Sequence, residues 1–416
     1  MKKYKVVIRA FTLRRDVAVS LILAEILKRK GCDVVIASCR NFTRLIKYWN
    51  PDAIIINTIG QVDNCRNLAP QAAIILFGGE GGNKKEASEA KIFSKRLSSY
   101  EKIDKVLLWG IASKNFFHEL MPNADHSKLL ICGNPRLDLT KYSQSKKNSH
   151  RKTIGFIGRY HTLNRYNRIP AIFSMQNYGK REVVTLQVEN YFSMIKLMHR
   201  ILDETEYKIS IRPHPLEAPE GYDFMLTKKP FKGRVEIDDS LDLAHWTAKQ
   251  KVIVAPSSTS FFESYLLDIP VINIDYLTNN IEVNKKLTPN AALSQSVSYN
   301  PTDYDEAMGL LLKDDLIPLT AEVADIHLDT YHGYKDSGSS IMKSANAILL
   351  CLKSRKRPKG YCLPYFLLDF IDAIYYKREI WRDPLHKNFN YYKRFHIMPK
   401  YFNKIVSDIL KQDEES

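Results

Sequence analysis

The sequence lacks any stretch near the roughly 20 consecutive apolar residues that a membrane-spanning helix needs, so no segment reads as a span. Its first residues, Met1 to Lys5, are basic, but the apolar run after them is too short and too strand-like for a secretion signal, and a cytoplasmic location is expected. Cysteine is scarce. The six (Cys32, Cys39, Cys65, Cys132, Cys351, Cys362) never fall at C-x-x-C spacing, which leaves no cysteine zinc site and no disulfide framework to read and fits a reducing compartment. Internal repeats and low-complexity runs are absent. No Asp-x-Asp pair is read as a metal site, so metal-independent chemistry with no cofactor is expected.

Positive charge is plentiful. The net charge is +16, and Lys353 to Lys404 alone holds thirteen Lys or Arg against four Asp or Glu. Such a surplus suits anionic partners. Because nine of the sixteen excess charges sit in this one segment, a nucleic-acid groove across the whole molecule is disfavoured, and no nucleic acid is expected as a partner.

At 416 residues the chain exceeds one ordinary core and fits two domains plus an extension. Apolar runs at residues 5–10, 33–37, 52–56, 73–77 and 105–109 alternate with amphipathic stretches, 17–27 among them. Strands apolar on both faces and alternating with helices imply a parallel sheet covered on both sides. After a polar linker at 143–152 comes a second series, with strands expected at 153–158, 207–211, 251–255 and 270–274 and a helix at 189–202. The expected architecture is α/β: two doubly wound, Rossmann-like domains (1–145 and 152–335) with a cleft between their strand C-termini, where ligands of open sheets bind. Residues 336–416 form a helical extension, and its first helix, 340–352, is expected to cross back to the first domain.

Two segments carry the chemistry. In Ile211–Glu217 (IRPHPLE) a strand ends and offers Arg212 and His214 between two stiffening prolines, a cation and an imidazole suited to phosphate or leaving-group contact. A histidine satisfied within a turn is the alternative. In Val254–Glu263 (VAPSSTSFFE) a strand gives way to Ser257, Ser258 and Thr259, which read as helix caps or as an anion site, with Glu263 one turn on. Other candidates are single residues. Glu80, between two glycine pairs after the strand 73–77, reads either as an exposed catalytic carboxylate or as a solvated turn. Arg136 and Asp138 come after Gly133-Asn-Pro and either serve the ligand or pair locally. Arg159, His161, Asn164 and Arg168 form a polar loop after the second domain's first strand. Asp238 and Asp239 read as helix caps. From Arg355 onward aromatic residues such as Tyr365, Phe366, Phe370, Trp381 and Phe402 alternate with Lys and Arg. Residues 363–376 suit an amphipathic helix that lies on an anionic leaflet or caps the domains.

The His-Pro and Ser-Ser segments together resemble the motifs of bacterial GT-B transferases that use CMP-activated sugars, the sialyltransferases and Kdo transferases, and those of CDP-glycerol glycerophosphotransferases. Three further segments, 76–82 (LFGGEGG), 132–138 (CGNPRLD) and 240–246 (SLDLAHW), are similar to bacterial surface-carbohydrate proteins related to the retaining Kdo transferases. The resemblance spans about residues 50–280. It implies that His214 contacts the donor phosphate, that Ser257 and Ser258 bind phosphate, and that Glu263 binds ribose. Thr259, Arg212 and Arg159 are expected to assist, Arg136 to hold a donor carboxylate, and Glu80, or failing it Asp138 or Asp239, to be the catalytic carboxylate. The implied activity is transfer of Kdo or a related ulosonic acid from a CMP-sugar to a lipid-linked glycan of lipopolysaccharide or capsule, peripherally on the inner membrane's cytoplasmic face. Ala255-Pro256 before the serines departs from the glycerophosphotransferase pattern. That activity, and a non-catalytic GT-B assembly module, are the alternatives.

Overall fold

The computed structural model describes residues 3–10, 13–38, 41–78, 92–143, 151–165, 171, 181–278, 291–335, 338–355, 363–382 and 398–415. The chain forms two compact units, Met1–Asp138 with Leu328–Ser416, and Leu139–His327. The C-terminal segment is therefore part of the first unit and not a third body.

Unit 1 holds six parallel strands: β1 Tyr4–Arg9, β2 Cys32–Ala37, β3 Ala53–Ile56, β4 Ala73–Phe77, β5 Lys105–Leu108 and β6 Leu129–Ile131, in the order β2-β1-β3-β4-β5-β6. The helix Leu13–Arg29 after β1 exceeds the expected 17–27 at both ends. Asp16 lies in its first turn and Lys28 and Arg29 in its last, which suits its dipole, and Gly31 at φ +92° breaks it. All four residues of β3 are buried, as a strand covered on both faces requires. After β1 the chain moves first to β2 on one side and then to β3 on the other. The direction of winding thus switches between β1 and β3, which opens a crevice at their C-terminal ends.

The C-terminal segment joins this unit by apolar packing. Helix Ser340–Lys353 and helix Lys400–Glu415 both lie against Leu13–Arg29. Phe402, Ile405, Val406 and Ile409, on one face of the last helix, are buried, each worth about 1.5–3 kcal/mol relative to exposure. Lys30 pairs with Asp413 at 2.8 Å, and Arg355 pairs with Asp104. Helix Tyr365–Arg382 packs on Phe42–Trp49, with Tyr365 6.2 Å from Trp49 and Leu368 in the core. Its Phe366, Phe370 and Ile374 face solvent at 69%, 63% and 51% exposure. This segment thus caps unit 1 with its last helix and leaves an apolar row on the preceding one.

Unit 2 holds β7 Thr153–Ile157, β8 Lys208–Arg212, β9 Val235–Ile237, β10 Val252–Ala255 and β11 Val271–Asn273, all parallel, in the order β11-β10-β7-β8-β9. The winding here switches between β7 and β10. The three-residue edge strand β9 was not among the expected strands, because Val-Glu-Ile is too short to show a period. Helix Arg181–Glu204 buries Met194, Leu197, Met198 and Ile201 on the sheet.

Candidate functional site

In unit 2 the polar residues gather at the β7/β10 switch point and at the neighbouring end of β8. Arg159, two residues past β7, donates to the Ser257 carbonyl, two residues past β10. Burial pulls its pKa below the ordinary guanidinium value, and the fully buried Asp275 opposes that pull. Asp275 Oδ2 accepts from the Ser257 N–H at 3.0 Å, and Asn273 Nδ2 donates to Ser257 Oγ at 3.0 Å. Ser257 is thus fixed through its N–H, carbonyl and hydroxyl. Ser258 is half-buried and caps the helix Ser260–Leu266 by accepting from the Ser260 N–H at 3.3 Å, while Thr259 is exposed and makes no side-chain cap. Glu263 is buried in that helix's first turn.

His214 lies just past β8. Its Nδ1 accepts from the Leu216 N–H at 3.2 Å, so the neutral ring carries its hydrogen on Nε2, a donor suited to an oxyanion. The His161 ring lies 4.9 Å away, tilted by 32°. The turn that holds His214 rests on a carboxylate to which sequence reasoning gave no role. Glu217, fully buried, accepts from the Tyr160 N–H after β7 and from the Tyr222 hydroxyl at 2.6 Å, and its own N–H donates to the His214 carbonyl at 2.8 Å. A Cβ at Gly158 would stand 2.7 Å from Glu217 Oε2, so only glycine fits there. Burial, then Glu217, keeps the Tyr222 hydroxyl protonated far above its ordinary pKa. Asp275 was missed as well. Asp275 sits two residues past β11, and Glu217 closes the turn that follows β8; nearness to a strand's C-terminal end was the one signal that pointed to them.

Several expectations need correcting. Arg212 does not project toward a ligand: it is buried, and its guanidinium binds Asp238 and both Ser240 Oγ (2.9 Å) and O (3.0 Å). Asp238 is therefore the partner of Arg212 and not a helix cap. The cap of helix Leu243–Thr247 is Asp242, which accepts from the Ala244 N–H at 2.9 Å. Burial pushes Asp242 up to about 6 against the lowering effect of those hydrogen bonds and of Arg212. Asp138 is buried too. Its Oδ2 accepts from Ser339 Oγ at 2.8 Å and from the Ile341 N–H at 2.9 Å, which anchors the start of helix Ser340–Lys353 and leaves it ill-suited to act on substrate. An Asp-x-Asp spacing does exist at Asp303–Asp305. There Asp303 caps helix Tyr304–Leu312, and Asp305 pairs with Arg200 at 2.6 Å.

In unit 1 a small open cavity of about 30 Å³ sits at the β1/β3 switch point and is lined by Arg9, Asn57, Phe77, Gly78, Trp109 and Arg136 among others. Glu80, like Arg168, lies outside the described residues, two positions beyond Gly78. Gly133 of the CGNPRLD segment takes φ +87°, and a Cβ there would strike Ser340 Oγ at 2.2 Å. Asn134 Nδ2 meets His332 Nδ1 at 2.9 Å. The described cysteines are buried, with Cys32 and Cys132 pushed up to about 11 and Cys65 to about 12, mainly by burial, which marks them as apolar packing groups. Among the described residues no group of three or more His, Cys, Asp or Glu is placed to hold a metal, and no helix is long and apolar enough to cross a membrane.

Two such units, each a doubly wound parallel sheet, with helices at the C-terminus, define the GT-B class of α/β fold. Comparison with protein-family models gives no match, and neither does comparison with curated protein sequences. Solved structures do match. The wall teichoic acid polymerase TagF is 11% identical with a TM-score of 0.53, over 85% of this chain and 89% of that one, and a CDPG-soaked TagF gives 12% and 0.52, over 85% and 90%. The putative UDP-N-acetylglucosamine 2-epimerase from Listeria monocytogenes is 12% identical with a TM-score of 0.50, over 87% of this chain and all of that one. At such identities the likeness is one of fold.

Proposed function

We propose that the chain is a glycosyltransferase of bacterial surface-glycan synthesis that takes Kdo or a related ulosonic acid from a CMP-sugar to a lipid-linked glycan. The observation that carries this reading is the constellation at the unit 2 switch point. His214, with its Nε2 hydrogen, stands on a rigid turn beside His161, and the Arg159–Ser257–Asp275 network fixes the neighbouring strand ends. Donors held in place before the reaction stabilise developing charge on a leaving nucleotide without reorganising. In this reading His214, Arg159, Ser258 and Thr259 face the donor phosphate, the buried Ser257 holds the strand end behind them, and Glu263 faces the ribose. Glu80 is the catalytic carboxylate, and Arg212 and Asp138 serve the scaffold.

The test is a thermal-shift titration with CMP, CDP, UMP, UDP, GDP and ADP. CMP at a hundredfold excess over its dissociation constant adds about 2.7 kcal/mol. A shift with UDP and none with CMP would refute the donor assignment. Fold likeness to TagF favours one second reading, a glycerophosphotransferase using CDP-glycerol; mass spectrometry of the product separates an added ulosonic residue from a phosphoglycerol. A non-catalytic assembly module would neither bind nucleotide nor hydrolyse donor.

The exposed row Phe366, Phe370 and Ile374, in a strongly basic segment, supports peripheral contact with an anionic leaflet. Replacing Phe366 and Phe370 by Ser should abolish flotation with phosphatidylglycerol vesicles. Unchanged flotation would assign that face to another partner.

A further inference from the structure

Arg9, Arg15 and Arg136 line the cavity at the β1/β3 switch point, and Asp16 is the only acidic side chain among the described residues of its lining. Asp16 is engaged by Arg15 at 2.9 Å. Arg9 ends β1 and donates to Asn57 Oδ1, one residue past β3, at 2.9 Å, so it bridges the two strands between which the winding reverses. Arg159 bridges β7 and β10 in the same manner in unit 2. Arg136 arrives from the helix Pro135–Tyr142, a third independent element. Guanidinium groups drawn from three elements into one cavity, with one carboxylate among the described lining residues, favour a ligand with two or three coplanar or tetrahedral oxygens.

We infer that this cavity holds an oxyanion, a carboxylate or a phosphate, of a substrate group other than the nucleotide. A substrate in this cavity presupposes the transferase reading; the oxyanion site stands on the cavity alone. Trp109, in the cavity wall, supplies the signal.

Tryptophan fluorescence is titrated with inorganic phosphate and, separately, with gluconate, a hydroxylated carboxylate, in CMP-free and CMP-saturated protein. Saturable quenching is expected with at least one of them, unchanged by CMP, and the one that binds names the group. Trp109→Phe should remove the signal while a thermal shift persists. Arg136→Gln and Arg15→Gln, each verified as folded, should each weaken binding about tenfold or more, the scale of one lost charged hydrogen bond. Arg136→Lys should restore part of it. Absence of saturable binding by either anion, binding equally strong in both Gln variants, or displacement of the anion by CMP would each overturn the site. If CMP itself fails to bind, the nucleotide reading falls, while the phosphate and gluconate titrations of CMP-free protein still decide this one.

Discussion

Glu217→Gln is the most informative perturbation of the nucleotide-side site, because two opposed effects give it a definite sign. Glu217 is fully buried, and burying a carboxylate is costly, so removing its charge alone would stabilise the fold. Against this stand hydrogen bonds from the Tyr160 N–H and from the Tyr222 hydroxyl at 2.6 Å. Bonds to a charged acceptor contribute about 1.5–3 kcal/mol each, and a buried donor left unmatched costs about 1–3 kcal/mol. Glutamine keeps one acceptor oxygen and turns an N–H₂ toward the other donor. The oxygen keeps the Tyr160 N–H and the N–H₂ donates to the Tyr222 oxygen, so two bonds to a charge become neutral ones, for a net loss of about 1–2 kcal/mol. Tyr222→Phe should lose about as much as one such bond. The double variant should lose less than the sum, with a coupling of about 1–2 kcal/mol, since both changes remove the same contact. Urea unfolding at pH 7 measures all three. The backbone N–H of residue 217, which glutamine keeps, holds the His214 carbonyl, so CMP affinity of folded Glu217→Gln should stay close to the parent's. A Gln variant as stable as the parent, or strictly additive losses, would refute the reasoning and make Glu217 a passive buried acid.

His214→Ala should lower transfer by about two orders of magnitude with an unchanged melting temperature, as expected for one positioned donor, and Glu80→Gln should do the same while CMP still binds; parental turnover in either folded variant would remove that residue from the site. Asp242 gives a pH signature. Its folded pKa of about 6 lies above the ordinary carboxylate value, so the native state binds the extra proton. Its contribution is complete below about pH 4 and is lost as pH rises through 6. Asp242→Asn, which still caps the helix, should flatten the stability profile between pH 4 and 7 by up to about 3 kcal/mol; an unaltered profile would show that Asp242 is not the titrating group.

Much of this molecule is dictated by local pattern. Apolar runs such as Ala53–Ile56 and Val252–Ala255 can satisfy their burial only inside a parallel sheet covered on both faces, and that requirement is written in consecutive residues. The strand ends before His214 and Ser257 were legible for the same reason, as was the helix Ser340–Lys353. What the side chains do at those ends was not legible. Arg212 and His214 stand two residues apart, yet Arg212 turns to Asp238 and Ser240 while His214 rests on a turn held by Glu217. Asp138 finds its partner Ser339 across 201 positions of chain, and Arg355 finds Asp104 across 251. Periodicity reports which face of an element is buried. The choice of partner for a charge depends on which strand ends the sheet order brings side by side, and that order arises only once the helices have packed. The same holds for Arg9 and Asn57, 48 residues apart: neither suggests a ligand alone, and only the reversal of winding between β1 and β3 sets them beside Arg136 in one cavity.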